Sequence, residues 1–134
     1  MTFTLVSPAT QMDLANCGQA VTLHVWALAR VQLRLGPSWA LRGADGKAVA
    51  VAGFCYRSDD TCDAWFMAAP AASRHIGRIV RAIRLTGIPA PYSRAIAFVS
   101  TPEGRRIAAL AGYERIAVRE DGMEVYCYGR IAQT

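Results

Sequence analysis

Asp63-Ala64-Trp65-Phe66-Met67-Ala68-Ala69-Pro70 is followed at once by Ala71-Ala72-Ser73-Arg74-His75-Ile76-Gly77-Arg78-Ile79, and this junction decides the fold. Asp63 and six apolar residues that include two aromatics, stopped by a proline, read as a strand. The basic stretch after it has helical period. Arg74, Arg78, Arg81 and Arg84 fall at spacings of four and three, on one face, and Ile76, Ile79, Val80 and Ile83 fall on another. A strand feeding an amphipathic helix is half of a parallel crossover unit. The other half follows in Ala95-Ile96-Ala97-Phe98-Val99-Ser100, a second apolar strand.

Working outward, Thr101-Pro102-Glu103 starts a short helix with a hydroxyl cap, a proline at the first helical position and an acid beside the positive end of the dipole. The helix stops at Ala111-Gly112-Tyr113, and a hairpin turns at Asp121-Gly122 before the segment ends at Arg130. Toward the N-terminus, Thr2–Val6 alternates as a first strand, and Thr10-Gln11-Met12-Asp13 has the form of a capping box. Helical pattern then runs to Leu35, with Gly18 as a break and Gly36-Pro37 as the end. Leu23, Trp26, Ala27, Arg30, Val31 and Arg34 fall at helical spacings within it. Ser38–Arg42 pairs with Lys47–Tyr56 across Gly43-Ala44-Asp45-Gly46, and Arg57–Thr61 reads as a polar loop. The summed order is β-α-α-β-β-β-α-β-α-β-β, which predicts an α/β mixed sheet with helices on both faces.

Composition bounds the rest. A length of 134 residues suits one domain, 1–134, and an apolar fraction of 53% supplies a core. No apolar run reaches the roughly 18 residues of a membrane span, and no basic leader precedes an apolar one. Cytoplasmic or virion residence is therefore expected, with no membrane partner. The net charge is +5 and Lys47 is the only lysine. The arginines are a solvated face or a surface for an anionic partner: cofactor phosphates, an acidic protein or, with less support, nucleic acid. No aromatic interleaves the arginine stripe, which argues against a stacking platform for single strands. Cys17, Cys55, Cys62 and Cys127 form no C-x-x-C pair and have no metal-ligand spacing with His24 or His75, so no metal is expected and the thiols are expected free.

This element order, with Arg74-x-x-Gly77 at the entry to one helix and Gly112-Tyr113 at the exit of the next, resembles the GNAT superfamily of N-acetyltransferases over essentially the whole chain. The resemblance implies acyl transfer from acetyl-CoA to an amine. It places the cofactor pyrophosphate on Arg74, His75, Ile76, Gly77, Arg78 and Ile79. There, helix N-terminal amides favour anions and small residues allow close approach. Ile79 departs from the family's Gly or Ala. The family's cofactor-contacting Asn corresponds to Thr101, and its thiolate-protonating Tyr to Ala108, which has no proton to give. Asp63, Asp59, Asp60 and Glu120 are the carboxylates weighed as general base, and none is assigned. The chain is also similar to small internal virion proteins of short-tailed phages, through Trp65-Phe66, Arg74-x-x-Gly77, Val99 and Asp121-Gly122. That similarity implies a non-catalytic alternative: a virion or assembly protein acting through contacts with other subunits.

Overall fold

The structure, a computed structural model, describes residues 2–18 and 22–129; the sequence expectations for 19–21 and Arg130 lie outside them. The strands are β1 (Thr4–Val6), β2 (Ser38–Arg42), β3 (Ala48–Ser58), β4 (Thr61–Ala68), β5 (Arg94–Val99), β6 (Glu114–Val118) and β7 (Glu124–Tyr128). They form one seven-stranded sheet in the order β1-β2-β3-β4-β5-β7-β6. Only β4 and β5 are parallel; the other neighbours are antiparallel. The helices are α1 (Gln11–Cys17), α2 (Leu23–Leu35), α3 (Ile76–Thr86) and α4 (Pro102–Leu110).

The helices fall on opposite faces. Leu14 and Cys17 of α1 and Ala29 of α2 bury against Ala40, Ala48 and Val51, with Trp65 and Met67 packed alongside. Ile79 of α3 and Ile107 of α4 bury against Leu41 and Ala50 on the other face. We call these the front and rear faces. Strand alternation agrees with them, because Trp65 and Phe66 point to opposite sides.

Local chemistry accounts for the element ends. Thr10 and Asp13 form both halves of a capping box. Asp13 is 2% exposed. Arg42 holds it with two bonds, Nε to Oδ1 and Nη2 to Oδ2, each 2.9 Å. Burial by itself raises the Asp13 pKa, but the Arg42 fork and the Thr10 bonds outweigh it and hold the carboxyl below its ordinary value. Gly18 caps α1, as the break in the helical pattern predicts. Gly112 ends α4 and Gly122 turns the last hairpin, at φ of 96° and 85°, a region costly to other residues.

Three sequence expectations are corrected. Arg57–Thr61 is not a loop: β3 runs to Ser58, β4 begins at Thr61, and Asp59-Asp60 alone make the turn. Strand β3 starts at Ala48 rather than Lys47. The basic helix does not open at Arg74: Pro70–Arg74 is a 3₁₀ turn, and α3 begins at Ile76 with His75 as its cap residue. Proline fixes the first φ of that turn and offers no amide, which suits a tight start. In α2, the inward residues are Trp26, Ala29 and Leu33, while Leu23, Leu28, Val31 and Leu35 are exposed.

Candidate functional site

Strands β4 and β5 pair only over Thr61–Ala64 and Arg94–Ala97. Beyond Ala64 and Ala97 the two strands part, while β4 stays paired to β3 through Ala68 and β5 stays paired to β7 through Val99. Two parallel strands that separate leave unpaired backbone and an open wedge. A cavity of about 670 Å³ fills this wedge. It passes through the sheet. On the front face it is bordered by Cys17, Val25, Trp65 and Met67, and on the rear face by Ile76, Ile83, Ile107 and Ala108. Ser100, Thr101 and Glu103, at the end of β5 and the start of α4, also border it.

The residues predicted to hold a cofactor divide between two places. Ile76, Ile79 and Thr101 line the wedge cavity. Gly77 and Arg78 line a shallower groove with Phe3, Leu5 and Leu41. Arg74 closes the 3₁₀ turn and is exposed. His75 lies edge-on to Phe3, with ring centroids 4.8 Å apart. The Arg78 guanidinium sits over the same ring at 4.7 Å. Arg74, Arg78, Arg81 and Arg84 are all exposed, and none has an acid partner among the described residues.

The start of α3 is chemically open. No side chain caps it, and the first amide bonded in the helical manner is Ile79 N–H, to His75 O at 3.0 Å. The amides of Ile76, Gly77 and Arg78 precede it at the positive end of the dipole. A Cβ added to Gly77 meets nothing within 4 Å, so the space beside that residue is open. Ile79 does not crowd them, since its side chain is 1% exposed and packs beneath the helix with Leu41, Ala50 and Ile107. At the start of α4, Thr101 accepts a bond from Gly104 N–H at 3.0 Å, which leaves its own hydroxyl proton to donate.

Three site features were missed by sequence reasoning. Trp65 lies flat on Gly53, where any Cβ would come within 2.5 Å of the ring. Its Nε1–H is buried with no acceptor among the described residues, an orphan donor in a side chain that borders the cavity. Tyr113 also borders the cavity. Burial, then the neighbouring Cys62, Tyr128 and Cys127, raises its pKa, so the phenol keeps its proton at neutral pH. Among the described residues Glu103 is the only charged one on the cavity wall, at its exposed rim. The Gly-aromatic exit signalled Tyr113 only as a packing residue; nothing local signals the other two.

Of the carboxylates considered as a base, Asp63 is the one on β4, one residue before the last β4–β5 pair, and its side chain is not on the cavity wall. Burial raises its pKa and Arg57 partly offsets this. Arg57 Nε approaches Asp63 Oδ1 to 2.9 Å without hydrogen-bond geometry, so Oδ1 has a charge neighbour but no bond. Asp60 is held by Thr61 and Arg94 in the β3–β4 turn. Asp59 and Glu120 are exposed turn residues. Tyr126 and Tyr128 share a face of β7 and are used in packing: Tyr126 donates to Glu124, and Tyr128 lies tilted against Tyr113 with ring centroids 5.3 Å apart. No three His, Cys, Asp or Glu side chains among the described residues gather as a metal site. No helix among them is long and apolar enough to cross a membrane.

No family model and no curated protein sequence matches the chain. Its fold does match solved structures over almost its full length. A GNAT family acetyltransferase from Elizabethkingia anophelis, with acetyl-CoA bound, superposes with a TM-score of 0.67 at 10% identity, covering 96% of this chain and 98% of that one. A chimeric spermidine N-acetyltransferase from Vibrio cholerae gives 0.66 at 11% identity, with 96% of each chain covered. The ribosomal-protein-S5-alanine acetyltransferase from Vibrio fischeri gives 0.66 at 11% identity, covering 95% and 91%. The chain therefore has the GNAT fold, as the element order predicts. The resemblance to phage internal virion proteins finds no support among these structures.

Proposed function

We propose that the chain is a single GNAT-like domain, 1–134, that transfers an acyl group from an acyl-CoA thioester to an amine. The observation that carries this reading is the wedge between β4 and β5, with the uncapped start of α3 beside it. The fold match to acetyltransferases supports it, including a neighbour that holds acetyl-CoA. The residues present fit such a group. The Ile76, Gly77 and Arg78 amides suit a pyrophosphate, with Arg74 and Arg78 near enough in sequence to neutralise it. The Thr101 hydroxyl stands at the opposite wall of the wedge. The cofactor supplies a thioester-activated acyl group.

The chain's own residues position the reaction more than they drive it. The wedge holds donor and acceptor together and excludes water, which can lower the barrier by several kcal/mol. Asp63, off the cavity wall and reached through one water, is the candidate to take the amine proton, and its raised pKa suits a base. As the new C–N bond forms and the C–S bond breaks, the departing thiolate needs a proton. Ala108 has none, and Tyr113 on the cavity wall is the candidate donor. The acceptor is an amine of unassigned identity.

The test is calorimetric titration with CoA and acetyl-CoA. Micromolar affinity is expected in the unaltered chain and loss of affinity in Gly77→Trp, whose side chain covers the α3 amides from open space. No binding at millimolar ligand refutes the reading.

A further inference from the structure

The closed end of the wedge is built from small side chains. Ala64 and Ala97, the last residues paired between β4 and β5, face the rear with Ala108 and Ala111 of the α4 end. Phe54 and Tyr113 border the same cavity and pack in the cluster around Cys62 and Ala95 that underlies it. Ala108 and Ala111 are buried at 8% and 4% exposure, so their methyl groups are wall and not surface. The family's bulky tyrosine would stand at Ala108, which here lines the cavity with a methyl group. Among the described residues no lysine or arginine lines the cavity, and the single charged one, Glu103, is at the rim.

We propose that this four-alanine recess takes an uncharged acyl chain longer than acetyl. The proposal rests on the acyltransferase reading and adds a specificity to it. Physically, the recess is an apolar wall with no cation to receive a dicarboxylic acyl group. An acetyl group leaves methyl-sized voids against the alanines. A longer chain fills them, and each buried methylene improves affinity by about fourfold. An acyl group with a terminal carboxylate would be desolvated there with no partner and is rejected.

The experiment is a calorimetric series on the full chain with CoA, acetyl-, butyryl-, hexanoyl- and succinyl-CoA. Butyryl-CoA is expected to bind at least tenfold tighter than acetyl-CoA, hexanoyl-CoA no weaker than butyryl-CoA, and succinyl-CoA no tighter than CoA itself. In Ala108→Leu, the chain-length gain falls to under threefold while CoA affinity stays within twofold. Ala97→Val is the second variant, with the same expected pattern, should the helix position fail to accept leucine. CoA and acetyl-CoA binding as tightly as the longer chains overturns the recess proposal and leaves the acyltransferase reading intact. Absence of binding by every thioester and by CoA overturns both.

Discussion

Replacing Gly53 by alanine tests how the front wall of the wedge is made. An alanine Cβ at this position lies 2.5 Å from two ring carbons of Trp65 and 2.6 Å from its Nε1. Ordinary carbon contacts are about 3.5–4.0 Å, so the indole must retreat by about 1 Å. The ring is the part of Trp65 that borders the cavity, and it packs against the α1–α2 core. Overfilling of this kind costs about 1–3 kcal/mol. Gly53 has no positive φ, so alanine recovers about 0.4–1 kcal/mol through the unfolded chain. The net expectation is about 1–2 kcal/mol of destabilisation, or a fall in Tm of about 3–8 °C. Thermal unfolding by circular dichroism measures it, and tryptophan fluorescence reports the ring's displacement. An unchanged Tm together with an unchanged emission spectrum refutes the claim that Gly53 exists to seat Trp65.

Three further outcomes are expected. Asp13→Ala removes the N-cap partner and the acid in the Arg42 fork; because Arg42 is partly exposed and rehydrates, the loss is about 2–3 kcal/mol rather than the full cost of breaking a buried pair, measurable by urea unfolding. The Asp13 pKa is lowered on folding, so its stabilisation is present above the unfolded value near 4 and is lost as pH falls through the folded value; denaturant midpoints between pH 7 and pH 2 should fall less steeply in Asp13→Asn. Cys17 and Cys62 are buried and pushed up to about 11, first by desolvation, so a disulfide-exchange reagent at pH 7.5 should leave them unreacted in the native protein and titrate all four thiols only after denaturation.

The order of elements along the chain was legible because turn chemistry and periodicity agree at most boundaries: Gly43–Gly46, Thr101-Pro102, Gly112 and Asp121-Gly122 each have a local cause. The start of α3 was not, because a 3₁₀ turn and an α-helix share apolar and basic spacing over one turn, and no capping side chain marks the change at His75. The inward face of α2 was also hidden, since Trp26-Ala29-Leu33 and Leu28-Val31-Leu35 are both apolar stripes and only packing against β3 selects between them. For the site, sequence named the α3 entry and Thr101. It could not show that Gly77 and Ile79 point to different places, nor at which residues β4 and β5 part. The parting is a relation between strands far apart in the chain. The orphan Nε1–H of Trp65 depends on the same geometry.

The central claim is that the β4–β5 wedge and the α3 amides together hold a CoA thioester. A crystal structure of the chain grown with CoA tests it most directly. The account predicts the pantetheine chain between the splayed ends of β4 and β5 and the pyrophosphate within hydrogen-bond distance of the Ile76, Gly77 or Arg78 amides. CoA bound elsewhere, or a wedge that stays empty at saturating CoA, contradicts it.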